Sequence, residues 1–333
     1  MDVLEVLRAA GEPTRLRILA ALEGGELTVS ELCRVLGQSQ PRVSRHLRLL
    51  SDAGLLERHA EGTSAFYRLT GGGVGHDLVA VLLPLLERSD PSLERDAGRL
   101  ASIRSQRAAA AADYFESVAS RWDAIRNLHV GDEEVEHAML GVVGERRIER
   151  LLDIGTGTGR ILELFADRIG TGLGIDLSRE MLNVARSRLD QRRLVNCSVR
   201  QGNVYDLEVE PASIDIAVLH HVLHFLGDPA AAVAQAANVL RPDGALVIVD
   251  FAPHTRDELR IEFAHRRLGF ADEQINAWCT AAGLPAVTST HFSHTPPTGD
   301  EPLVVTLWTA ARHAGRLSSD PLATARTLEA AST

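Results

Sequence analysis

The chain has 333 residues, a formal net charge of −10 and no lysine among its 35 basic residues. This length allows about two domains, and the absence of lysine excludes covalent lysine Schiff-base chemistry. The three cysteines lie far apart in the sequence, which argues against a disulfide framework or a zinc knuckle. Without an export signal or a long apolar run, the sequence indicates a cytoplasmic protein that does not span a membrane.

The first ninety residues predict short helices followed by a hairpin. In the string "SQPRVSRHLRLL", Ser39 is placed to cap a helix. Val43, Leu47 and Leu50 then follow at i, i+4 and i+7, so all three should face inward. The next string, "LLERHAEGTSAFYRL", has two β-like runs around a glycine-containing turn. This order predicts an α+β winged helix-turn-helix domain over residues 1–90.

The outward face of that last helix carries side chains that can read DNA. Arginine recognises guanine edges or phosphates, glutamine recognises adenine, and serine contacts either. Six arginines and three acids lie between Arg34 and Arg68, so this patch is basic although the chain is acidic. A three-helix bundle with a solvated arginine face is the alternative interpretation. The predicted DNA-binding residues are Gln40, Arg42, Ser44, Arg45, Arg48 and Arg58.

The segment "LRILAALEGGELTVSELCRVLGQSQPRVSRHLRLLSDAGLLERHAEGTSAFYRL" resembles the ArsR/SmtB family of winged-helix repressors. The resemblance implies a homodimer that binds palindromic operator DNA, with dimer surfaces on the apolar faces of residues 1–10 and 76–87. Metal-sensing members carry two thiolates where this chain has Thr28 and Ser30. Because neutral hydroxyls are poor ligands for soft or borderline ions, we expect no metal site.

Residues 91–145 form a polar, alanine-rich stretch with helical tendency, and Pro91 marks its start. Its aromatic residues Tyr114, Phe115 and Trp122 either cover the next domain's pocket as a lid or make ordinary packing contacts. We therefore expect a helical connector or lid between two domains.

From residue 146 onward, apolar strands alternate with helices. Five strands are predicted, at "RLLDIG", "GLGIDLS", "CSVRQGNV", "SIDIAVLHH" and "GALVIVDFA". This alternation predicts a parallel sheet covered by helices on both faces, with ligands bound beyond the carboxyl ends of the strands. The α/β domain is expected over residues 146–312. Residues 313–333, rich in alanine, serine and threonine, are expected to be disordered.

The turn after the first of these strands reads "DIGTGTG" and indicates a nucleotide site. Gly155, Gly157 and Gly159 follow G-x-G-x-G spacing, whereas the G-x-G-x-x-G pattern would favour NAD. Asp153 just ahead of them would repel a pyrophosphate but attract the ammonium and sulfonium of S-adenosylmethionine. Asp176 lies about 20 residues further on, where an acid can bind both ribose hydroxyls. These features favour S-adenosylmethionine over NAD.

The strings "DIGTGTG", "GIDLSREML", "QGNVYDL", "IDIAVLHHVLHFLGDP" and "VLRPDGALVIVDF" resemble successive motifs of class I methyltransferases. They are similar to the small-molecule branch related to ubiquinone/menaquinone C-methyltransferases. The resemblance implies a Rossmann-like, mostly parallel sheet of seven strands, with the final strand antiparallel. It implies an adenine contact at Asn203, where many relatives have aspartate. The implied cofactor-binding residues are Asp153, Gly155, Gly157, Gly159, Asp176, Leu177, Met181, Asn203, Val204 and His220.

Methyl transfer needs an acceptor placed in line with the sulfonium and often a base for its proton. His221 and His224 follow the fourth strand, and Asp250 and His254 follow the fifth. These four are the predicted catalytic residues, as bases or as groups that bind an acidic acceptor. The alternative is that such residues only end a strand or form a solvated face.

The sequence as a whole predicts an ArsR-type, DNA-binding transcriptional regulator with an S-adenosylmethionine-dependent methyltransferase domain that acts on a small molecule. In an alternative, the methyltransferase fold is a non-catalytic sensor, and its binding of S-adenosylmethionine or S-adenosylhomocysteine changes the affinity of the protein for DNA. A third interpretation is a plain enzyme whose winged helix only dimerises.

Overall fold

The fold is described from a computed structural model of the chain, which divides into two compact units. One unit contains Met1–Asp113 and Asn183–Arg200, and the other contains Tyr114–Leu182 and Gln201–Thr333. The structure describes residues 3–61, 64–71, 73–87, 89–107, 109, 132–144, 148–262, 265–293 and 303–313.

Four helices open the first unit, and the last two are joined by the three residues between Leu36 and Gln40. Val43, Leu47 and Leu50 on the fourth helix are all 0% exposed and lie in the unit's hydrophobic core. Their burial confirms the inward face predicted from the i, i+4, i+7 spacing. The four helices are α1 Val3–Ala10, α2 Pro13–Leu22, α3 Val29–Leu36 and α4 Gln40–Asp52.

The ends of α3 and α4 are set by local chemistry. Thr28 Oγ1 accepts a hydrogen bond from Glu31 N, and the Glu31 carboxylate accepts one from Thr28 N, which is a capping box. Gly37 ends α3 at a φ of +65°, a left-handed conformation that glycine adopts without strain. Ser39 occupies the position before α4, but its side chain makes no capping hydrogen bond, so that expectation is wrong. Pro41 in the first turn, with its fixed φ, favours the start of α4 instead.

Three strands form a small sheet in the first unit. They run in the spatial order β1-β3-β2, with both pairs antiparallel. The β2–β3 pair follows α4 directly, and Leu56 and Tyr67 from these strands are buried in the same core as α4. The strands are β1 Leu27–Thr28, β2 Leu56–Glu61 and β3 Ser64–Leu69, and helix α5 spans Gly73–Leu82.

Residues 91–107 form helix α6, which packs on the first unit. Arg17 of α2 donates hydrogen bonds of 2.6 and 2.8 Å to the two carboxylate oxygens of Asp96 on α6. Arg99 of α6 donates a 3.0 Å bond to the backbone oxygen of Val35, at the end of α3. The predicted domain boundary at residue 90 stays a prediction, but these contacts attach α6 firmly to α2 and α3.

A seven-stranded sheet runs in the order β6-β5-β4-β7-β8-β10-β9. The pairs β4–β5, β4–β7 and β7–β8 are parallel, while β10 is antiparallel to both β8 and β9. This is the mostly parallel, Rossmann-like sheet of seven strands, with an antiparallel final strand, that the resemblance implied. The strands are β4 Ile148–Ile154, β5 Ile169–Asp176, β6 Cys197–Gln201, β7 Ile214–His220, β8 Leu240–Phe251, β9 Ala286–Ser293 and β10 Val304–Ala311.

The strand order reverses on either side of β4, because β5 lies next to it on one side and β7 on the other. Ligands of open α/β sheets bind beyond the carboxyl ends of the strands at such a reversal. The loops that follow β4, β5 and β7 are therefore the place to look for a site. The helices of this part are α7 Asp132–Val143, α8 Arg160–Phe165, α9 Arg179–Arg192, α10 Pro229–Val239, α11 Glu258–Glu262 and α12 Asp272–Ala281.

Some sequence predictions concern residues that the structure does not describe. The aromatic residues of the predicted lid, Tyr114, Phe115 and Trp122, lie outside the described residues, as do residues 314–333 of the predicted tail. Among the helices that are described, none has the length and apolar character needed to cross a bilayer.

Candidate functional site

The turn between β4 and α8 is built from glycines in an unusual backbone conformation. Gly155, Gly157 and Gly159 have φ values of +76°, +52° and +80°, which residues with side chains rarely adopt. A Cβ at Gly155 would collide with the side chain of Val222, so this glycine is needed for packing. A Cβ at Gly157 would have no atom of the described residues within 4 Å. The turn therefore borders open space at Gly157, where a ligand can approach the backbone.

Asp153 lies beneath this turn and is only 1% exposed. Its Oδ2 accepts a 2.5 Å hydrogen bond from Thr156 Oγ1, whereas its Oδ1 has no hydrogen-bond partner among the described residues. Burial is the main reason that the pKa of Asp153 is raised to about 7; the Thr156 hydrogen bond opposes this rise and the nearby Asp176 carboxylate adds to it. A buried carboxylate oxygen without a donor is costly. A cationic ligand such as an ammonium group fits this atom.

Asp176 ends β5 and is tied to the glycine turn. Its Oδ2 accepts a 2.8 Å hydrogen bond from Gly157 N, and its Oδ1 accepts one of 2.8 Å from Ser178 N. The backbone oxygen of Asp176 accepts a 3.0 Å bond from Gly202 N. The loops after β4, β5 and β6 thus meet at Asp176, two of them through its carboxylate and one through its backbone oxygen. Each of its oxygens keeps a lone pair for a further donor such as a ribose hydroxyl.

The remaining predicted cofactor residues differ in their burial and hydrogen bonding. Leu177 is 70% exposed, which suits a side chain that a flat ring could cover. Asn203 Oδ1 already accepts a 3.0 Å bond from Tyr205 N, so an adenine amino group would need its second lone pair. Val204 packs against the hydrophobic core. Met181 on α9 and His220 at the end of β7 are both half-buried.

The predicted catalytic residues lie at the ends of β7 and β8. His224 Nδ1 is 2.7 Å from Asp250 Oδ1, and His224 N donates a 3.2 Å bond to Asp250 Oδ2. Both side chains are buried, at 2% and 0% exposed. His221 is half-buried and has a φ of +54°, a left-handed conformation uncommon for residues other than glycine. The structure therefore brings His221, His224 and Asp250 together.

Aromatic rings enclose this group of side chains. The His224 ring centroid lies 4.1 Å from that of Phe225 and 4.0 Å from that of His265. His254, the fourth predicted catalytic residue, contacts Phe251, with centroids 5.8 Å apart. Burial lowers the pKa of His254, and Arg256 lowers it further.

Sequence reasoning missed Phe225 and Phe251 as walls of this site, and it missed Thr156 as the donor to Asp153. A sequence signal existed for the two rings, because each phenylalanine directly follows a predicted catalytic residue. The threonine hydroxyl gave no comparable signal, since its role depends on the fold of the glycine turn.

The predicted DNA-binding residues are all exposed in the first unit. The helix residues among them are exposed, whereas Val43, Leu47 and Leu50 on the same helix are buried. This separation into an apolar inner face and a polar outer face is what a recognition helix needs. The exposed residues are Gln40, Arg42, Ser44, Arg45 and Arg48 on α4 and Arg58 on β2.

Two family models match the chain. Residues 12–58 match the model described as "Bacterial regulatory protein, arsR family". Residues 152–248 match the model described as "Methyltransferase domain". The first match contains α2 to α4, and the second contains the glycine turn, Asp176 and the histidines that follow β7.

Individual relatives cover part of the chain. A 37.1 kDa protein in transposon TN4556 of Streptomyces fradiae is 35% identical over 169 residues, covering 49% of this chain and 45% of that protein. The methyltransferase YcgJ of Bacillus subtilis is 26% identical, covering 49% of this chain and 78% of YcgJ. The ubiquinone/menaquinone biosynthesis C-methyltransferase UbiE of a Ruegeria species is 29% identical, covering 44% of this chain and 60% of that enzyme. The chain thus spans between about half and three quarters of the length of these relatives.

Proposed function

The chain carries an arsR-family helix-turn-helix segment and a class I methyltransferase domain, and from this we propose that it is a DNA-binding transcriptional regulator that methylates a small molecule. S-adenosylmethionine, the cofactor of such domains, supplies an electrophilic methyl group on its sulfonium. The observation that carries the proposal is the unpartnered Oδ1 of buried Asp153 beside the open glycine turn. This atom suits an ammonium group, and a pyrophosphate would be repelled there.

We assign contacts to the other parts of the cofactor from the hydrogen-bonding groups and exposed side chains that remain available. Asp176 would hold the ribose hydroxyls through its free lone pairs. Leu177 and Met181 would pack on the adenine, and Asn203 would accept from its amino group. The backbone of the turn at Gly157 would allow close approach of the methionine portion.

The acceptor would lie beyond the ends of β7 and β8, against the imidazoles and rings that line this edge. His221 is the half-buried member of the group, so it is the side chain best placed to take a proton from the acceptor. His224 and Asp250 are 2% and 0% exposed, so we assign them to positioning the site rather than to direct contact with the acceptor. His254 would complete the wall.

We place DNA recognition on the exposed arginines of α4 and β2 and expect the regulator to act as a homodimer in the cytoplasm. Apolar side chains at the N-terminus and around α5 are exposed, which supports a dimer surface there. Such a homodimer would match a palindromic operator, with one recognition helix in each half-site. The exposed apolar residues are Val3, Leu4, Leu7, Val74, Val81 and Leu85.

A second candidate function is a sensor that binds S-adenosylmethionine or S-adenosylhomocysteine without catalysis. The observation in its favour is that Thr28 and Glu31 are committed to capping α3, at the place where metal-sensing relatives bind their signal. The regulatory signal must then enter elsewhere, and the methyltransferase domain is available for it.

One set of measurements separates these candidates. An operator is first selected from a random DNA library with the purified chain, and its affinity is then measured with S-adenosylmethionine, with S-adenosylhomocysteine and with neither. A change of at least about fivefold between these states supports coupling. Equal affinities in all three states would remove the sensor. Calorimetry that shows uptake of NAD and no heat from S-adenosylmethionine would overturn the cofactor assignment.

A further inference from the structure

Three side chains with metal-binding atoms converge at the ends of β7 and β8. One ring nitrogen each from His221 and His224 and one oxygen of Asp250 all lie within 4.8 Å of one another. In a tetrahedral or octahedral site with bonds of about 2.1 Å, neighbouring and opposite ligand atoms lie about 3 to 4 Å apart. The three groups could therefore reach one ion through small movements of their side chains.

The charge balance of the cluster favours a cation. Asp250 is fully buried, and the donors that the structure gives it are the backbone N–H groups of His224 and Phe251 and the ring of His224. These donors are neutral unless the imidazole is protonated. A buried carboxylate without a fixed positive charge is costly. A divalent ion at this position would supply that charge.

The surroundings of the three side chains have two features of a preformed metal site. Apolar rings of Phe225 and Phe251 lie around the cluster, and such a shell limits water and strengthens coordination. His221 is held in its left-handed conformation by a 2.8 Å hydrogen bond from its backbone N to Val249 O. Uncommon backbone conformations of this kind are found where a side chain must be aimed.

We propose that His221, His224 and Asp250 bind one divalent first-row transition-metal ion, with Zn²⁺ or Co²⁺ as suitable examples. Two imidazoles and one carboxylate suit such ions, whereas Mg²⁺ and Ca²⁺ prefer oxygen ligands alone. Three protein ligands leave coordination positions open for a further ligand, and the half-buried His221 is the most exposed of the three.

If the proposed function is correct, the ion also has a consequence for methyl transfer. In the loaded protein the open positions would take an oxygen or nitrogen atom of the methyl acceptor. His221 would then serve as a metal ligand rather than as the base. The ion would take over the base's role by lowering the pKa of the bound acceptor. Binding of the ion itself requires neither S-adenosylmethionine nor methyl transfer.

The test uses the full, untagged chain after dialysis against EDTA. Co²⁺ is titrated while its visible absorption is recorded, and Zn²⁺ is then added as a competitor. We expect one Co²⁺ per chain in a nitrogen- and oxygen-ligated site, displaced by Zn²⁺. His221→Gln and His224→Gln should each weaken binding by at least about tenfold. His291→Gln is the matched control, because His291 lies beside Asp272 outside the cluster, and it should bind as the wild type does.

Far-ultraviolet circular dichroism of each variant serves as the readout of folding. If His224→Gln does not fold, the half-buried His221→Gln still decides the question. Unchanged Co²⁺ binding in His221→Gln would overturn the proposal, as would a folded wild type that takes up neither ion. A chain that binds the ion but not S-adenosylmethionine would refute the proposed function and leave the metal site standing.

Discussion

The carboxylate of Asp176 accepts a 2.8 Å hydrogen bond from the backbone N–H of Gly157, so the end of β5 and the glycine turn after β4 hold each other in place. The two residues belong to different loops, and each was predicted separately as a cofactor contact. Their bond means that one substitution at Asp176 affects the turn as well as the proposed ribose contact.

Asp176→Ala should lower the affinity for S-adenosylmethionine at least about a hundredfold, or ~3 kcal/mol. The substitution removes the carboxylate that would accept hydrogen bonds from the two ribose hydroxyls, and the same carboxylate orders the glycine turn. Isothermal calorimetry gives the affinity. Asp257→Ala, on a 79% exposed side chain outside the site, should bind as the wild type does. Equal affinities in the two variants would refute the assignment of Asp176.

Asp153 should make cofactor binding depend on pH. Its pKa of about 7 means that the empty site is partly protonated at neutral pH, while a bound ammonium group needs the ionised form. Binding should therefore release a proton, and the affinity should fall by up to about tenfold for each pH unit below 7. Calorimetry between pH 6 and 8, in two buffers of different ionisation enthalpy, measures both effects.

The raised pKa of Asp153 also determines how the stability of the cofactor-free protein changes with pH. The folded pKa of Asp153 is raised above its unfolded value of 3.8, so the folded state binds the proton more tightly. Stability should then be lost as the pH rises from about 4 through about 7. Asp153→Asn is the control, and it should flatten both pH dependences. Wild-type affinity that stays constant from pH 6 to 8 would contradict this role.

The pair of Arg17 and Asp96 should be needed for the stability of the first unit. The Asp96 side chain is 6% exposed and accepts two hydrogen bonds from Arg17, and it holds the pKa of that guanidinium above its usual value. Asp96→Asn would leave a half-buried guanidinium with a poorer partner, so we expect a loss of about 2 kcal/mol.

Hydrogen exchange of the α6 amides measures this loss, because α6 should open more often without the ion pair. Glu94→Gln, an exposed residue on the same helix, should leave the exchange unchanged. If Asp96→Asn protects α6 as well as the wild type does, the ion pair contributes nothing to holding α6 on α2.

Arg42→Ala combined with Arg45→Ala should abolish specific DNA binding. Each arginine contact to a guanine edge contributes about 1–3 kcal/mol, and loss of phosphate contacts also reduces the salt dependence. Fluorescence anisotropy with the selected operator, at several salt concentrations, gives both values. Arg95→Ala, an exposed arginine on α6, is the control. Unaltered binding in the double variant would move the DNA-reading surface away from α4.

Local sequence patterns were sufficient for much of the fold. The i, i+4, i+7 spacing of Val43, Leu47 and Leu50 gave the buried face of α4 correctly. The alternation of apolar strands and helices correctly predicted a parallel α/β sheet, while the full set of seven strands and the antiparallel final strand followed from the resemblance to class I methyltransferases. These patterns succeed because burial of a helix face or strand depends on residues that are neighbours in the chain.

Only the tertiary structure decided which distant groups meet. His224 and Asp250 are 26 residues apart and face each other because β7 and β8 are adjacent, with His220 in register with Val249. Arg17 and Asp96 meet across 79 residues because α6 packs against α2. Even Ser39, in a favourable capping position, makes no cap. Sequence periodicity determines which faces are buried, whereas strand order and helix packing determine which side chains share a site.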